Sequence, residues 1–376
     1  MNMSSSLTLA GGRVVTPDGI LDDGWVRISG TAIEQVGTGP VAGAEDLAGR
    51  LVVPGFVDIH CHGGGGGSFT GIEVDQALTA IDTHRAHGTT TMLASLVTAP
   101  LADLSKQISA LGELVTDGRL AGIHLEGPFL SAARCGAHDP AILRPPETEA
   151  VQQLLNAGQG TIRMVTLAPE LDNSLNAIRL LVDNGVIAAV GHTDALLDQV
   201  VPAVDAGATV ATHLFNGMRP LHHREPGPIG ALLDDERVTV ELICDLVHLH
   251  PAIVKLAAGH AGAGRTVLIT DAISATSAGD GIYELGKLPV TVTDGEPRLA
   301  DGSLAGSTLT MDAAFRNLVE CGLPVADAVH AASTRPAELL GMADRIGAIR
   351  PGLAADLVVL DDDLSLHAVM KDGRWV

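Results

Sequence analysis

Histidines and carboxylates recur along this chain at positions where several of them could share a metal ion. His60 and His62 stand two apart, a spacing that points both side chains to the same face of a strand and lets two imidazoles reach one cation. An isolated His-x-His fits equally well a pair of polar residues at a strand end. Here it is followed by Glu126, His192, His213, His248 and Asp271, each at or just beyond the carboxyl end of an apolar run. One carboxylate and two imidazoles with an open position make a hydrolytic, zinc-type set, able to acidify a water molecule.

The elements that must position these groups can be read from the apolar pattern. Runs over 51–60, 89–94, 120–126, 162–168, 186–191, 209–213, 238–245 and 266–270 read as buried strands. Helical periodicity over 74–86, 101–114, 173–182, 196–206 and 251–258 lies between most of them. Such alternation predicts parallel β structure, and eight units predict an α/β fold closed into a (β/α)8 TIM barrel with its active site on the carboxyl rim. Helices over 311–321 and 325–340 follow, and 273–307 reads as a turn-rich insertion. The glycine run 63–67 lets the backbone turn sharply beside His62. Short strands over 7–15, 24–29 and 32–36, with others over 356–360 and 368–376, predict a small β-sandwich domain formed by both termini. The expected limits are 1–53 and 345–376 for that domain and 54–344 for the barrel.

The chain has 376 residues, 46% hydrophobic and 18% charged, which supplies a large core and excludes a disordered chain. Mean hydropathy is +0.29, yet no apolar run nears the roughly 18 residues of a spanning helix. Residues 1–12 lack the basic and apolar segments of a secretory signal. With 23 basic against 45 acidic side chains the net charge is −22, a field that repels nucleic acid and anionic membranes. Only 2% of residues are aromatic, which argues against base-stacking modules. Cys61, Cys135, Cys244 and Cys321 show no CxxC spacing, so a reducing cytoplasm is expected. An anionic substrate would need a local basic device against the global field.

The segment PGFVDIHCHG (54–63) resembles the first-strand signature of the amidohydrolase superfamily. HLEGPF (124–129), GAH (136–138), GHT (191–193), THLFNGM (212–218), REPG (224–227), TDA (270–272), LAGSTLTM (304–311) and the closing ADLVVLD (355–361) are similar to segments of the N-acetylglucosamine-6-phosphate deacetylase family within it. The resemblance runs from end to end. It implies Glu126, His192 and His213 as ligands of one divalent metal, and His60 and His62 as holders of a second, bridged by Glu126. Some members of the family keep this histidine pair and others replace it, so one or two ions per subunit are expected. Zinc suits imidazole best, while iron, cobalt or manganese could use the same ligands. Glu126, standing where a carboxylated lysine occurs in other branches, argues against hydantoinases and dihydroorotases.

The same resemblance implies Asp271 as general base and acid, and His248 as the group that helps polarise the acetamide carbonyl and contacts substrate. It places Arg224 on the sugar phosphate, a planar fork suited to an oxyanion, assisted by Asn216 and the backbone of Gly217, where alanine is usual. Ala137 and His138 resemble a sugar-contacting loop, and Leu304, Ala305, Gly306 and Ser307 a second substrate wall. Cys135 departs from a commoner basic residue and is either part of a lid or a spectator thiol. His124 is expected behind the ligands, His250 has no role, and His84, His87, His222, His223, His260, His330 and His367 are expected to be surface or structural. In related enzymes the phosphate-binding arginine can come from the partner, which implies a homodimer whose Arg224 serves the neighbouring active site. The implied reaction converts N-acetylglucosamine 6-phosphate to glucosamine 6-phosphate and acetate, in amino-sugar catabolism and cell-wall recycling. Three alternatives stand beside it. One is the galacto isomer of that substrate, which differs at one hydroxyl. Another is a cyclic amidase or aminoacylase, against which Arg224 and Asn216 speak. The third is a non-catalytic scaffold, against which the complete ligand set speaks.

Overall fold

A computed structural model describes residues 6–376. Eight strands lie side by side in chain order: Phe56–Asp58, Thr89–Val97, Gly122–Glu126, Ile162–Leu167, Ile187–Val190, Val210–Ala211, Thr239–Ile243 and Thr266–Ile269. Every neighbouring pair is parallel. The first and last strands meet in a short seam instead of a ladder. Cys61 bridges Ala272, the Asp271 amide donates to the His60 carbonyl at 2.8 Å, and the Thr270 hydroxyl donates to Asp58 Oδ2 at 2.6 Å. Asp58 is wholly buried. Burial pushes its carboxyl up to about 6, against the opposing hydrogen bonds from Thr270 and the His60 amide.

The helices between strands form where apolar residues recur at helical spacing. Val74–Ala86 buries Ala77, Ala80, Ile81 and His84, and Leu101–Thr116 buries Leu104, Ile108, Leu111 and Leu114, each a stripe that seals against the strands. Two further helices, Thr148–Gly158 and Gly227–Asp234, complete the alternation and were not anticipated. The first follows Pro145-Pro146, which reads as a loop. The second buries Gly227, Pro228, Ile229, Ala231, Leu232 and Leu233, so it has no polar face to mark its period.

The structure corrects three expectations of local structure. The run over 51–60 is two strands. Leu51–Pro54 joins the sheet made by the chain ends and Phe56–Asp58 the barrel, with the Gly55 amide held by the Asp356 carbonyl at 2.9 Å. Both pieces are fully buried, so the apolar pattern carries no break. The turn-rich insertion contains an antiparallel meander of Gly281–Leu285, Leu288–Thr293 and Glu296–Arg298. Its Leu285, Val290 and Val292 pack on Val97, Ile273 and Ala305. The helix expected over 325–340 is interrupted by a π-helical turn at His330–Thr334.

Leu51–Pro54 is also what joins the two ends of the chain. It lies parallel to Ser6–Thr16 on one side and antiparallel to Leu357–Leu360 on the other. The resulting sheet encloses an apolar cluster of its own, including Leu9, Val26, Ile28, Val52, Leu357 and Met370. Among the described residues no helix is long and apolar enough to cross a membrane.

Asp58→Ala should lower stability by about 2–3 kcal/mol, since the Thr270 hydroxyl and two backbone amides lose their buried acceptor. Denaturant unfolding measures this, and an unchanged midpoint would mean that the seam does not depend on Asp58.

Candidate metal centre and active site

Glu126 ends the third barrel strand and points its carboxylate into the rim, where imidazoles from four other segments surround it. Oε1 lies 2.9 Å from His213 Nε2 and 3.0 Å from His192 Nε2. Oε2 lies 3.1 Å from His62 Nε2 and 3.4 Å from His138 Nε2. His60 Nε2 is 3.2 Å from His62 Nε2 and 3.4 Å from Asp271 Oδ1, which is itself 3.2 Å from His62 Nε2. Two donor groups result, one of His60, His62, Glu126 and Asp271 and the other of Glu126, His192 and His213. They share the two oxygens of one carboxylate.

These separations suit divalent ions. Donors about 2.0–2.1 Å from a tetrahedral ion stand about 3.3 Å from one another, and the separations here run from 2.9 to 3.4 Å, with His60 Nε2 to Glu126 Oε1 at 3.6 Å. The rings are also turned the right way. His62 Nδ1 donates to the Ser95 carbonyl at 3.1 Å, His192 Nδ1 to the Arg134 carbonyl at 2.8 Å, and His60 Nδ1 to Glu241 Oε2 at 3.2 Å. Each such bond places a proton on the outer nitrogen and turns Nε2 inward, where it binds a metal once it is unprotonated. His213 Nδ1 is buried without a partner.

His138 is wired in the opposite sense. Its Nδ1 accepts from the Thr98 amide at 3.3 Å and lies 2.8 Å from the Thr98 hydroxyl, so the ring proton sits on Nε2 and is aimed at Glu126. His138 is therefore a donor to the shared carboxylate and is not arranged as a ligand. Burial holds its ring neutral, with the pKa pulled down to about 4. His124, likewise neutral through burial, bridges the Ser95 and Thr166 hydroxyls at 2.9 and 2.8 Å beneath His60.

The carboxylates stay ionised despite their surroundings. Burial alone raises Glu126, but His60, His138, His192 and His213 outweigh it and hold the carboxyl well below the usual range. The same contest, won by His60 and His62, keeps Asp271 low. Burial in turn opposes protonation of His62, yet Asp271 and Glu126 prevail and raise it to about 9.

Three of the converging residues hold backbone conformations that non-glycine residues seldom adopt: His192, His213 and Asp271 have φ of +46°, +29° and +50°. Each bend turns a strand end so that its side chain enters the rim. Gly217 (φ +60°) passes so close beneath the His192 ring that a Cβ there would lie 2.7 Å from Nδ1.

A cavity of about 240 Å³ opens above the cluster. Of the anticipated residues, His62, Glu126, Ala137, His138, His192, His213, Asn216, Gly217, His248, Asp271, Leu304 and Gly306 line it, together with Gly136, Leu285 and Ser303. His60 lies wholly buried below. His248 Nδ1 donates to Asp245 Oδ2 at 2.7 Å. Burial pushes the Asp245 carboxyl up, but the His248 contacts overcome it and hold it below its ordinary value. A neighbouring hollow of about 400 Å³ shares Ala137, His138 and Leu285 with this cavity and holds none of the metal-cluster carboxylates.

Four anticipated residues fall elsewhere. Ala305 is fully buried in the core of the meander. Ser307 is also buried, its hydroxyl donating to the Thr270 carbonyl at 2.5 Å and its amide to the Asp271 carbonyl at 2.8 Å, so it braces the eighth strand from behind. Cys135 is half-buried and off the cavity, its carbonyl accepting the His138 amide at 3.1 Å. Arg224 is exposed in the turn bridged by His222 and Glu225, where Nη1 donates to His223 Nε2 at 2.8 Å. His84, expected to be surface or structural, is fully buried and contacts the Gly63 carbonyl and the Cys61 thiol.

Glu241, Ser95, Thr98 and Asp245 hold the functional side chains and were missed. Glu241 carried a signal, being a single acid inside the apolar run VTVELIC. Asp245, three residues before His248, is a second such case.

A nearly closed eight-stranded parallel barrel with a His/Glu/Asp cluster on its carboxyl rim has the layout of a metal-dependent hydrolase. The chain belongs to the amidohydrolase family, whose model matches residues 51–376. It is 39% identical to N-acetylgalactosamine-6-phosphate deacetylase of Escherichia coli O157:H7, covering 96% of this chain and 97% of that one. It is 36% identical to N-acetylglucosamine-6-phosphate deacetylase of Bacillus subtilis (strain 168), covering 99% and 97%. Among solved structures it superposes with a TM-score of 0.96 on the Mycobacterium smegmatis N-acetyl-D-glucosamine-6-phosphate deacetylase, an Asp-to-Ala mutant in complex with N-acetyl-D-glucosamine-6-phosphate. That enzyme is 49% identical, and the match covers 99% of each chain.

Glu126→Ala should abolish tight binding at both donor groups, whereas His192→Asn should spare the His60–His62 group. Metal content by elemental analysis after dialysis separates the two. Retention of both ions by Glu126→Ala would remove the shared-carboxylate assignment.

Proposed function

We propose that this chain hydrolyses the acetamide of an amino-sugar 6-phosphate, releasing acetate and leaving the free amine, with N-acetyl-D-glucosamine 6-phosphate as its substrate. The observation that carries the reading is the convergence of both donor groups, Asp271 and His248 on one cavity. The relatives' names supply the sugar. The galacto isomer is kept as a second reading because the Escherichia coli relative acts on it. A divalent ion, zinc first on the chemistry of its imidazole donors, supplies Lewis-acid polarisation of the amide carbonyl and acidifies the attacking water.

The chain's own groups do the rest. Asp271, ionised and on the cavity wall, takes the proton of the water as it attacks the acetyl carbon, then returns it to the departing nitrogen. Proton return is downhill, because the carboxyl is a much stronger acid than the ammonium formed. His248, its Nδ1 held by the Asp245 carboxylate, donates an Nε2–H to the carbonyl oxygen as charge builds there, which requires the doubly protonated ring that a carboxylate partner favours. Ala137, His138, Leu304 and Gly306 line the sugar ring, and Asn216 with the backbone of Gly217 assists at the phosphate. Arg224 binds the phosphate of a neighbouring active site across a homodimer interface, a role supported by its exposure and by its absence from its own cavity.

The same reading gives a β-sandwich domain from residues 1–53 and 345–376 attached to a barrel over 54–344, with 1–5 lying outside the described residues, and a cytoplasmic site of action. The location is supported by the four cysteines' lack of CxxC or other paired spacing in the sequence.

Acetate release from the phosphorylated gluco and galacto sugars, and from unphosphorylated N-acetylglucosamine, tests the reading. Chelation should abolish it, zinc should restore it, and only phosphorylated sugars should turn over well. No turnover of any of the three by metal-replete protein would refute it. Asp271→Asn should cost at least about 10³-fold in kcat, within the range of a lost proton shuttle. Asp245→Asn should cost about 10–100-fold in kcat with metal content unchanged; loss of metal from that variant would mean that Asp245 supports the ligands instead of His248.

A further inference from the structure

Glu241 sits in the middle of the seventh barrel strand, Thr239–Ile243, with no exposed surface. A carboxylate in such a place costs several kcal/mol unless it is compensated, and it takes no part in the reaction described above. Its contacts are specific. Oε2 accepts from His60 Nδ1 at 3.2 Å and from the backbone amide of His213 at 3.1 Å, while Oε1 is buried without a hydrogen-bond partner. One oxygen thus touches a residue of each donor group.

The two contacts differ in kind. At His60 it is the ring that is held. His62 and His192 turn their outer nitrogens to neutral backbone carbonyls, and His60 turns its own to a carboxylate. A carboxylate acceptor fixes the ring rotation and makes the inward Nε2 a stronger donor than a carbonyl acceptor would. At His213 only the backbone is held, at a residue with φ +29°, and the ring keeps an unpartnered Nδ1.

We propose that Glu241 is a positioning residue for metal, one that sets the affinity of the His60–His62–Glu126–Asp271 group through the His60 ring and secures the bend that presents His213 to the other group. The proposal rests on the two-ion reading of the cluster.

The test is metal binding by the full chain, read by titrating metal-stripped protein with zinc against a chelating indicator, with circular dichroism as a check on folding. Wild type should bind two ions. Glu241→Gln keeps an acceptor oxygen for the His213 amide but loses the charge, and should weaken one ion about tenfold; Glu241→Leu, which also leaves that amide without its acceptor, should weaken the same ion up to about 100-fold, the range of such outer-shell losses, and weaken the His192–His213 ion to a smaller extent. In a His192→Asn background, which leaves the His60 group alone, the loss should persist in full. In a His62→Asn background it should be much smaller. Glu241→Gln binding both ions as tightly as wild type, or weakening both equally, overturns the assignment, and this variant decides the matter if Glu241→Leu does not fold. A wild-type stoichiometry of one removes the two-ion reading, and the Glu241 assignment with it. A stoichiometry of two with an unaffected Glu241→Gln removes the Glu241 assignment alone.

Discussion

A single carboxylate, taken out of water and placed where four strand ends converge, sets the terms for the rest of the site. Glu126 is 3% exposed, and an uncompensated charge there would cost several kcal/mol. Compensation comes from rings that reach it from beyond other strands, so the barrel must close before the charge can be tolerated. Each ring must then be prevented from turning away. That requirement spreads outward to the Ser95 and Arg134 carbonyls and to Glu241, and through Ser95 to His124 and Thr166. The polar interior of this barrel is a set of nested demands that begins at one residue.

The backbone pays where those demands are met. His192, His213 and Asp271 hold left-handed conformations at a cost of order 1–3 kcal/mol each, and each is held by backbone hydrogen bonds. The His192 carbonyl takes the Ser131 amide, the His213 amide goes to Glu241, and Asp271 is pinned between the His60 carbonyl and the Ser307 amide. Ser307 matters here although it does not face the cavity. It holds in place the residue that does.

Most of the architecture and the inner ring of groups were legible in the sequence, because period and chemistry agreed there. Apolar runs ending in His, Glu or Asp mark both a strand and its functional rim, and that coincidence located His60, His62, Glu126, His192, His213 and Asp271 before any coordinates. Legibility failed where one signal ran through two structures, as in 51–60, where burial is continuous across Gly55. It failed again in Gly227–Asp234, which is buried on all sides and so shows no period. The supporting groups were harder still. Ser95, inside a strand, and Thr98, just past its end, are ordinary polar residues whose importance lies in a partner dozens of positions away. Arg224 shows the opposite limit: its motif was plain, but its place in space is away from the cavity of its own chain.

The carbonyl that steadies His192 belongs to Arg134, in the short helical turn Ala132–Arg134 that leads into Gly136, Ala137 and His138. The stretch that walls one side of the cavity is therefore also a strut for a ligand. If it swung outward to widen the mouth, His192 would lose its anchor and Glu126 would lose the His138 proton. This side behaves as a fixed jamb. The opposite side, Leu285 on the meander with Ser303 and Leu304 beyond it, contributes no donor to the cluster; its tie to the donor groups runs only through Ser307 and the Asp271 backbone. Lengthening or shortening that insertion therefore offers evolution a way to reshape the cavity wall without replacing any donor of the cluster.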